Sequence, residues 1–176
     1  MPNWVINKLY IEQNNRPLLS ENPELWEEIE NYVQSHPDED GETQVFDFCS
    51  IVPQPPGLYD DNTMNGTSMP DWYTWCVANW GTKWNACEAV RYVNESRYVF
   101  QTAWSTPEPV IRALSEKFPT VTFAVDFADE DLGNNCGVYI YEDGKIVNYE
   151  IGDREFACDM WGFYPEEFED EEEEVE

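Results

Sequence analysis

The chain has 176 residues, of which 37 are Asp or Glu and nine are Lys or Arg, so its net charge is −28 at pH 7. Aromatic residues make up 15% of the sequence, a content that excludes a disordered acidic chain, because such chains lack core-forming side chains. The length allows one domain with an insertion and a tail. The charge disfavours binding to nucleic acid or anionic membranes and favours a basic protein partner.

The first half of the sequence predicts a strand, a helix, a second strand and a long loop. Residues 4–11 read as a strand with apolar side chains on both faces, and Asn22 begins a helix that ends near His36. Residues 45–52 are predicted to form a second apolar strand. The proline-rich stretch 53–70 has a period of neither two nor 3.6 and is predicted to be a loop or insertion.

The second half predicts two hairpins that flank a helix and a strand. A short helix over 71–81 precedes strands at 86–93 and 98–104. Thr106 is predicted to cap a helix over 107–118, whose apolar residues recur at helical spacing.

A strand with clean alternation follows that helix. Residues 121–127 alternate between apolar and polar side chains, and strands at 137–141 and 146–151 flank the pair Asp143-Gly144, which is a strong hairpin signal. The predicted fold is therefore α+β: a ferredoxin-like βαββαβ core with a mostly antiparallel sheet, helices on one face and an extra C-terminal hairpin.

The domain organisation follows from the same pattern. Residues 1–164 are predicted to be a single ferredoxin-like domain with an insertion of loop and helix at about 53–84. Residues 165–176 are predicted to be a flexible acidic tail, because nine of the twelve are Asp or Glu.

Sequence motifs argue against an enzyme. The single histidine, His36, lies at a predicted helix end, and the sequence contains no nucleophile elbow, phosphate-binding loop or zinc-protease motif. Five cysteines at irregular spacing indicate reduced thiols and no zinc ribbon or iron–sulfur cluster. No cofactor or metal is expected. Without a signal-peptide pattern or an apolar stretch of about 20 residues, the chain is expected in the cytoplasm of a host cell.

Five stretches of the sequence share a pattern with one known family. They are residues 1–4 (MPNW), 48–53, 79–86 (NWGTKWNA), 102–107 (TAWSTP) and 114–119. Together they resemble the YubB-like family of plasmid and phage proteins, whose pattern reads approximately NWGTKWDA and then TAWSPP, so Asn85 and Thr106 depart from it. The resemblance covers residues 1–127 and implies a ferredoxin-like domain on a mobile genetic element. It implies no established activity.

Acidic residues late in the chain are the first candidate site. If the hairpin lies beside the strand 121–127, their carboxylates crowd one edge of the sheet. Duplex DNA carries one negative charge per roughly 1.7 Å of its axis, so a folded protein with carboxylates at similar density can occupy a DNA-binding groove. The alternative is a solvated acidic face that deters edge-to-edge pairing of sheets. This predicted acidic surface consists of Asp126, Asp129, Glu130, Asp131, Glu142, Asp143, Glu150, Asp153, Glu155 and Asp159.

Aromatic residues interleaved with acids at the chain end are the second candidate. In such a segment, the aromatic rings would anchor a partner and the charges would steer it. The alternatives are that the rings fix the last segment to the domain and that the tail only aids solubility. This candidate consists of Trp161, Phe163, Tyr164, Glu166, Glu167, Phe168, Glu169 and Asp170.

A group of tryptophans is interpreted as core. Only Lys83 is basic near them, so a groove for the phosphates of a nucleic acid is missing. Packing between helices and sheet is the favoured interpretation. The residues are Trp72, Trp75, Trp80, Trp84 and Trp104.

The leading hypothesis is a non-enzymatic counter-defence inhibitor of the anti-CRISPR or anti-restriction type. It would bind the basic nucleic-acid groove of a host defence effector or nuclease and act as an acidic DNA mimic. The alternative is an accessory protein-binding module of a mobile element, whose acidity serves solubility only and whose partner docks on 53–70. A structural component of a phage particle is a third possibility. None of these hypotheses involves direct binding to nucleic acid or to a membrane.

Overall fold

The computed structural model describes residues 1–58 and 71–163. In these ranges the chain forms seven strands, in order β1 (Trp4–Gln13), β2 (Arg16–Pro17), β3 (Cys87–Tyr92), β4 (Arg97–Ala103), β5 (Thr122–Asp129), β6 (Cys136–Glu142) and β7 (Lys145–Ile151). The α-helices of the same ranges are α1 (Leu18–Glu21), α2 (Pro23–Val33), α3 (Phe48–Ile51), α4 (Trp72–Trp80), α5 (Glu108–Lys117) and α6 (Arg154–Trp161), and a 3-10 turn (Val93–Glu95) joins β3 to β4.

One antiparallel sheet organises the fold. Its strand order is β3-β4-β1-β5-β6-β7, with the short β2 paired to the end of β1. The elements β1, α2, β3, β4, α5 and β5 form the βαββαβ arrangement, in which β1 lies between β4 and β5. The hairpin β6-β7 extends this core beyond β5. The α+β class and the ferredoxin-like core are as predicted from the sequence.

The two faces of the sheet differ in their cover. Alternate residues of β1 are buried on one side, which we call the helix face, and they pack with α1 to α5 in the main core. The opposite side, the open face, carries α6 alone among the described helices. There Ala157 and Met160 pack against Ala128 of β5, Cys136 of β6 and Ile6 of β1. The sequence analysis predicted helices on one face and did not include α6.

Local signals explain where α2 and α4 begin. Asn22 accepts a hydrogen bond from the backbone N–H of Leu25 at 3.1 Å, and Pro23 follows it at the start of α2. Asp71 caps α4 by accepting from the N–H of Thr74 at 2.7 Å. Both helix starts are as predicted.

Two local predictions were wrong. Residues 45–52 do not form a strand; instead, Asp47 accepts a hydrogen bond from the N–H of Cys49 at 3.0 Å and starts α3. A short apolar run does not distinguish a strand from a buried helical turn, so the capping side chain decided the outcome. Thr106 does not cap α5, because the cap position is Pro107, whose fixed ring precedes the first helical residue.

The C-terminal hairpin is fixed at both of its ends. Its turn residues Asp143 and Gly144 have φ values of 47° and 72°, the left-handed pair that a tight hairpin turn requires. The N–H of Gly144 donates to Ser115 of α5 at 3.1 Å, which ties the turn to the helix layer. At the other end, a Cβ on Gly137 would lie 2.2 Å from the carbonyl oxygen of Glu150. Glycine at that position is what lets β7 approach β6.

Candidate functional site

The predicted acidic surface extends along the whole length of β6. Glu142 and Asp143 lie at the hairpin turn. Asp126 and Glu150 share one row across the open face, because both are in register with Val138. The remaining members lie at the far end of β6, in the β5-β6 loop and on α6: Asp129, Glu130, Asp131, Asp153, Glu155 and Asp159. A seven-residue strand spans roughly 20 Å, so the carboxylates form an elongated surface and not a single cluster.

Several of these carboxylates also hold the local structure. Asp129 is buried and accepts hydrogen bonds from the Nδ2 of Asn3 at 3.1 Å and from the Nδ2 of Asn135 at 3.2 Å. Glu130 accepts from the N–H of Trp4 at 3.1 Å. These two acids therefore fasten the start of β1 to the β5-β6 loop, and their replacement would disturb the fold as well as the charge.

Two further members organise single elements. Asp131 accepts from the Nδ2 of Asn134 at 3.1 Å within the β5-β6 loop. Asp153 caps α6 by accepting from the N–H of Phe156 at 2.9 Å.

Three members of the acidic surface have no such structural role. Glu150 of β7 and Glu155 and Asp159 of α6 are exposed, and within the described residues their carboxylates accept no hydrogen bond. They are the acids on which a binding role can be tested without loss of the fold.

Asp126 occupies the centre of the open face. Burial raises the pKa of its carboxyl above the usual value, the neighbouring Glu12 and Glu150 act in the same direction, and Lys8 and Arg97 oppose them. Lys8 lies directly opposite Asp126 in the pairing of β1 with β5. The sequence analysis missed Glu12, because it ended the first strand at residue 11, whereas β1 continues to Gln13.

Trp161 is partly buried and packs on the open face. Its indole N–H donates to the carbonyl oxygens of Ala128 at 3.2 Å and Asp129 at 3.1 Å, which fixes α6 to the open face. Phe163, just after α6, remains 40% exposed. The other members of the aromatic and acidic candidate lie outside the described residues: Tyr164, Glu166, Glu167, Phe168, Glu169 and Asp170.

A tryptophan cluster, which the sequence analysis did not predict, lies at the same end of the sheet. The rings of Trp4 and Trp84 lie 5.8 Å apart. The ammonium nitrogen of Lys83 lies 4.4 Å from the ring centre of Trp84 and 5.6 Å from that of Trp104. Tyr73 completes the group, 6.2 Å from Trp104. Residues of three separate sequence stretches, 1–4, 79–86 and 102–107, thus meet in space, which is not visible from their positions in the sequence.

Trp104 is exposed and held in an unfavourable backbone conformation. Its φ of 71° is rare for a bulky residue, and 42% of its surface is exposed. Its N–H donates to the carbonyl oxygen of Asn3 at 2.9 Å, and its own carbonyl accepts from the Nδ2 of Asn135 at 2.9 Å. Such conformations cost about 1–3 kcal/mol and persist only where the surroundings impose them. The tryptophans of α4 pack on the core, as interpreted from the sequence: Trp72, Trp75 and Trp80. The same interpretation was wrong for Trp84 and Trp104, which lie outside the main core.

One cavity brings together a histidine, a carboxylate and a thiol. His36, Asp47 and Cys49 line a cavity of about 670 Å³. Burial raises the pKa of the Cys49 thiol, with Asp47 adding to the effect, so the thiol stays protonated and weakly nucleophilic. No group of His, Cys, Asp and Glu side chains suited to a metal ion occurs within residues 1–58 and 71–163. In the same part of the chain, no helix has the length and apolar character needed to cross a membrane.

Comparison with known proteins supports the fold. A family model described as the ferredoxin-like domain in Api92-like protein matches residues 79–176, more than half of the chain. The chain belongs to this family. The matched region contains β3 to β7, whereas β1, the strand at the centre of the core, precedes it. The ferredoxin-like sheet of this Api92-like protein is thus completed by a strand from outside the matched region.

A solved structure shows the same fold. The crystal structure of the protein api92 from Yersinia pseudotuberculosis superposes with a TM-score of 0.52 at 16% sequence identity, over 63% of this chain. The match spans 41% of the length of that protein. At this identity the likeness concerns the fold alone. Among curated proteins, no match was found.

Proposed function

We propose that this Api92-like protein is a non-enzymatic inhibitor that binds the basic nucleic-acid groove of a defence effector or nuclease and acts there as a DNA mimic. The charge of the folded part supports the proposal. Of the 37 acidic residues, 11 lie outside the described ranges, so 26 remain there with all nine Lys and Arg. The ion pairs that join described residues involve none of the predicted acidic surface.

The mechanism would be competition for the groove. The negative field would steer the protein toward a basic surface at long range. Exposed carboxylates on β7 and α6, such as Glu150, Glu155 and Asp159, would then take the places of phosphates. Exposed rings near that end, such as Trp104 and Phe163, would supply short-range contact area.

The resemblance to the YubB-like family sets the biological context of the proposal. A protein of a plasmid or phage meets the defence systems of its host, so an anti-CRISPR or anti-restriction role in the host cytoplasm fits such an origin. The proposed activity needs no cofactor and no direct contact with nucleic acid. This context rests on the association of similar proteins with plasmids and phages, and not on the chemistry of particular residues.

The test is a matched pair of charge-reversal variants. The site variant carries Glu150→Lys, Glu155→Lys and Asp159→Lys. The control carries Glu27→Lys and Glu28→Lys on α2 and Glu39→Lys in the turn after it. These three acids are also exposed, and two of them lie in the layer that covers the opposite face of the sheet. Both variants change the net charge equally. Asp129 and Glu130 are left intact because they hold the fold.

The measurement is DNA cleavage by a panel of purified restriction endonucleases and RNA-guided nucleases. The wild-type chain should inhibit at least one enzyme, and added duplex DNA or salt should weaken that inhibition. The site variant should inhibit at least tenfold less well, and the control should retain its inhibition within about threefold. Equal losses in both variants, or no inhibition of any enzyme in the panel, would refute the proposal.

A second candidate function is supported by Trp104. An exposed ring on a strained residue, whose backbone is held by two long-range hydrogen bonds, is typical of a binding surface. An accessory protein-binding module could use the tryptophan cluster with its acidity serving only solubility. The docking region predicted for this alternative, 53–70, lies mostly outside the described residues. Binding that is indifferent to salt and lost in Trp104→Ala would favour this candidate over DNA mimicry.

A further inference from the structure

The outer edge of β7 is open within the described residues. The sheet ends at β7, and no strand from residues 1–58 or 71–163 pairs with its outer side. Three apolar side chains of this strand are exposed: Val147 by 53%, Tyr149 by 63% and Ile151 by 87%. Natural proteins normally protect such an edge with charges, proline or cover, because it is a template for another strand. From Ile146 to Ile151 the one charged residue of β7 is Glu150 and there is no proline, so this edge of the described structure is weakly protected and indicates a binding surface.

Backbone geometry identifies which groups of β7 face outward. The N–H of Gly152 donates to the carbonyl oxygen of Cys136 at 2.9 Å, so these two residues form a hydrogen-bonded pair. In an antiparallel ladder such pairs alternate with pairs that exchange no hydrogen bonds. Ile151 and Tyr149 therefore direct their N–H and C=O groups away from β6. Consistent with this, the N–H of Tyr149 donates to the Oδ1 of Asn148 at 3.0 Å.

Side chains on the two faces of this edge differ in character. Tyr149 lies on the helix face, because it is opposite Tyr139, whose ring stacks on the buried Phe127. Ile151 lies on the same face, two residues along the strand. Glu150 lies on the open face, in the row of Asp126. An added strand would therefore place one set of side chains beside apolar groups and the alternate set beside carboxylates.

The charges around the edge are mostly negative. Glu142 and Asp143 lie at the turn end of β7, and Glu150 and Asp153 lie at its other end. Lys145 and Arg154 are the basic residues within the segment 142–159. A second copy of the chain would bring the same negative charges to the edge, with −28 on each molecule. A basic strand would instead be attracted to it.

We propose that the outer edge of β7 binds an extended segment of a partner protein in which apolar and basic residues alternate, and that this segment adds an eighth strand to the sheet. Main-chain hydrogen bonds to Ile151 and Tyr149 would give affinity, and the alternation would give specificity. The proposal shares with the DNA-mimic function only the basic character of the partner. It needs neither a groove nor a nuclease.

The experiment uses the whole chain and a synthetic probe, the acetylated and amidated peptide (Lys-Val)4. Binding is measured by calorimetry, and amide hydrogen exchange and chemical shifts are followed by NMR. The peptide should slow exchange of the Ile151 amide at least tenfold and shift the Tyr149 and Ile151 resonances. A peptide of the same sequence with N-methyl groups on alternate residues keeps the charge but cannot form the ladder. It should bind at least tenfold more weakly.

A matched pair of variants locates the site on the protein. Ile151→Pro removes an N–H that β6 does not use, at the last residue of the strand, where proline is tolerated. Ile151→Thr keeps that N–H and a β-branched side chain. Binding of the peptide should fall at least tenfold in the first variant and stay within about threefold in the second. Both variants should show unchanged shifts in β1 and β4, which verifies that the sheet is intact.

Several results would overturn the proposal. Equal binding of the plain and N-methylated peptides would show that attraction between charges is sufficient for binding, without main-chain hydrogen bonds. A dimer that Ile151→Pro dissociates would identify a second copy as the occupant. An Ile151 amide already protected in the monomer without peptide would show that the chain itself covers the edge. The DNA-mimic function fails on a different result, namely nuclease inhibition that does not depend on charge, so the two proposals are refuted separately.

Discussion

The half of the sheet that contains β3 and β4 differs from the half that contains β6 and β7 in how its charged side chains are paired. On the side of β3 and β4, cations are occupied by the chain itself: the guanidinium of Arg97 lies 4.5 Å from the ring centre of Tyr92, and the ammonium of Lys83 lies 4.4 Å from that of Trp84. On the side of β6 and β7, exposed carboxylates such as Glu150 have no hydrogen-bonding partner among the described residues. Folding therefore places unpaired negative charge on the β6 and β7 side of the sheet.

The two outermost strands of the sheet, β3 and β7, also differ in the regularity of their pairing. The pairing of β3 is interrupted by a register shift between Cys87 and Val90, where Glu88 has a φ of 51°. Arg91 of the same strand forms an ion pair with α2. In β7 the register shift lies near the hairpin turn, so the stretch 148–151 remains regular. A bulge interrupts the regular pairing at one edge, where Val90 and Tyr92 are also exposed, whereas the other edge keeps a regular outer side.

The largest expected effect comes from Gly137, which lets β7 approach β6. Gly137→Ala would place a Cβ 2.2 Å from the carbonyl oxygen of Glu150, and this backbone atom can move only if the strands separate. We expect the free energy of unfolding to fall by about 3 kcal/mol. Hydrogen exchange should accelerate in β7 far more than in β3. Urea unfolding monitored by tryptophan fluorescence measures the total loss.

The control for this prediction is Gly41→Ala. Gly41 also has a positive φ, at 82°, but a Cβ there meets no atom within 4 Å. Its replacement should cost about 1 kcal/mol from backbone strain alone. Similar losses at the two positions would show that contact between β6 and β7 is not what Gly137 permits.

The second effect concerns α6, which covers one end of the open face. Trp161→Phe keeps a ring but removes the indole N–H that donates to Ala128 and Asp129. We expect a loss of about 1–2 kcal/mol, because two buried carbonyl oxygens lose a donor. Amide exchange should rise in α6 and stay unchanged in α2, which serves as the internal reference. Uniform acceleration of both helices would contradict an anchoring role limited to α6.

The third effect tests the strain at Trp104, on the β3 and β4 side. Trp104→Gly and Trp104→Ala remove the same ring, but only glycine adopts a φ of 71° without cost. The glycine variant should therefore be more stable than the alanine variant by about 1 kcal/mol. At Trp84, whose φ is not positive, the order should reverse. Denaturant unfolding of all four variants checks this, and the same order at both positions would exclude strain at Trp104.

Sequence reasoning was accurate where a structural feature depends on neighbouring residues. The turn at Asp143-Gly144 follows from the dipeptide itself, and so does the pairing of the two strands beside it. It was inaccurate at α3, where a distant residue reinforces the local cap. α3 starts at Asp47, whose carboxylate also accepts from the Nδ2 of Asn85 at 2.6 Å, across 38 positions in the chain. No local pattern contains that contact.

The candidate site shows the same limit. The acids of the last third could be identified from the sequence, but their division into structural and exposed members required the hydrogen bonds of Asp129 and Asp153. The backbone of Trp104 is held by hydrogen bonds to Asn3 and Asn135, which are distant in the sequence. The open edge of β7 depends on strand order, which local signals do not encode.

The smallest expected effect lies at the boundary between the two sides, where Asp126 faces Lys8 and Arg97 as well as Glu12 and Glu150. Burial raises the pKa of Asp126 in the folded state, so the folded chain binds this proton more tightly than the unfolded chain does. The charged carboxylate therefore lowers stability at pH values above its raised pKa. That penalty disappears as the pH falls through the raised pKa toward the ordinary value of 3.8.

Asp126→Asn should accordingly increase the free energy of unfolding at pH 7. This gain over the wild type should shrink as the pH falls through the raised pKa of Asp126 toward 3.8. Urea unfolding from pH 7 to pH 3.5 measures the difference between the variant and the wild type. Glu150→Gln, an exposed carboxylate in the same row, should change stability by less than about 0.5 kcal/mol at any of these pH values. A loss of stability at pH 7 in Asp126→Asn would mean that attraction to Lys8 outweighs burial, and the open face would then be held by charge pairing as the β3 and β4 side is.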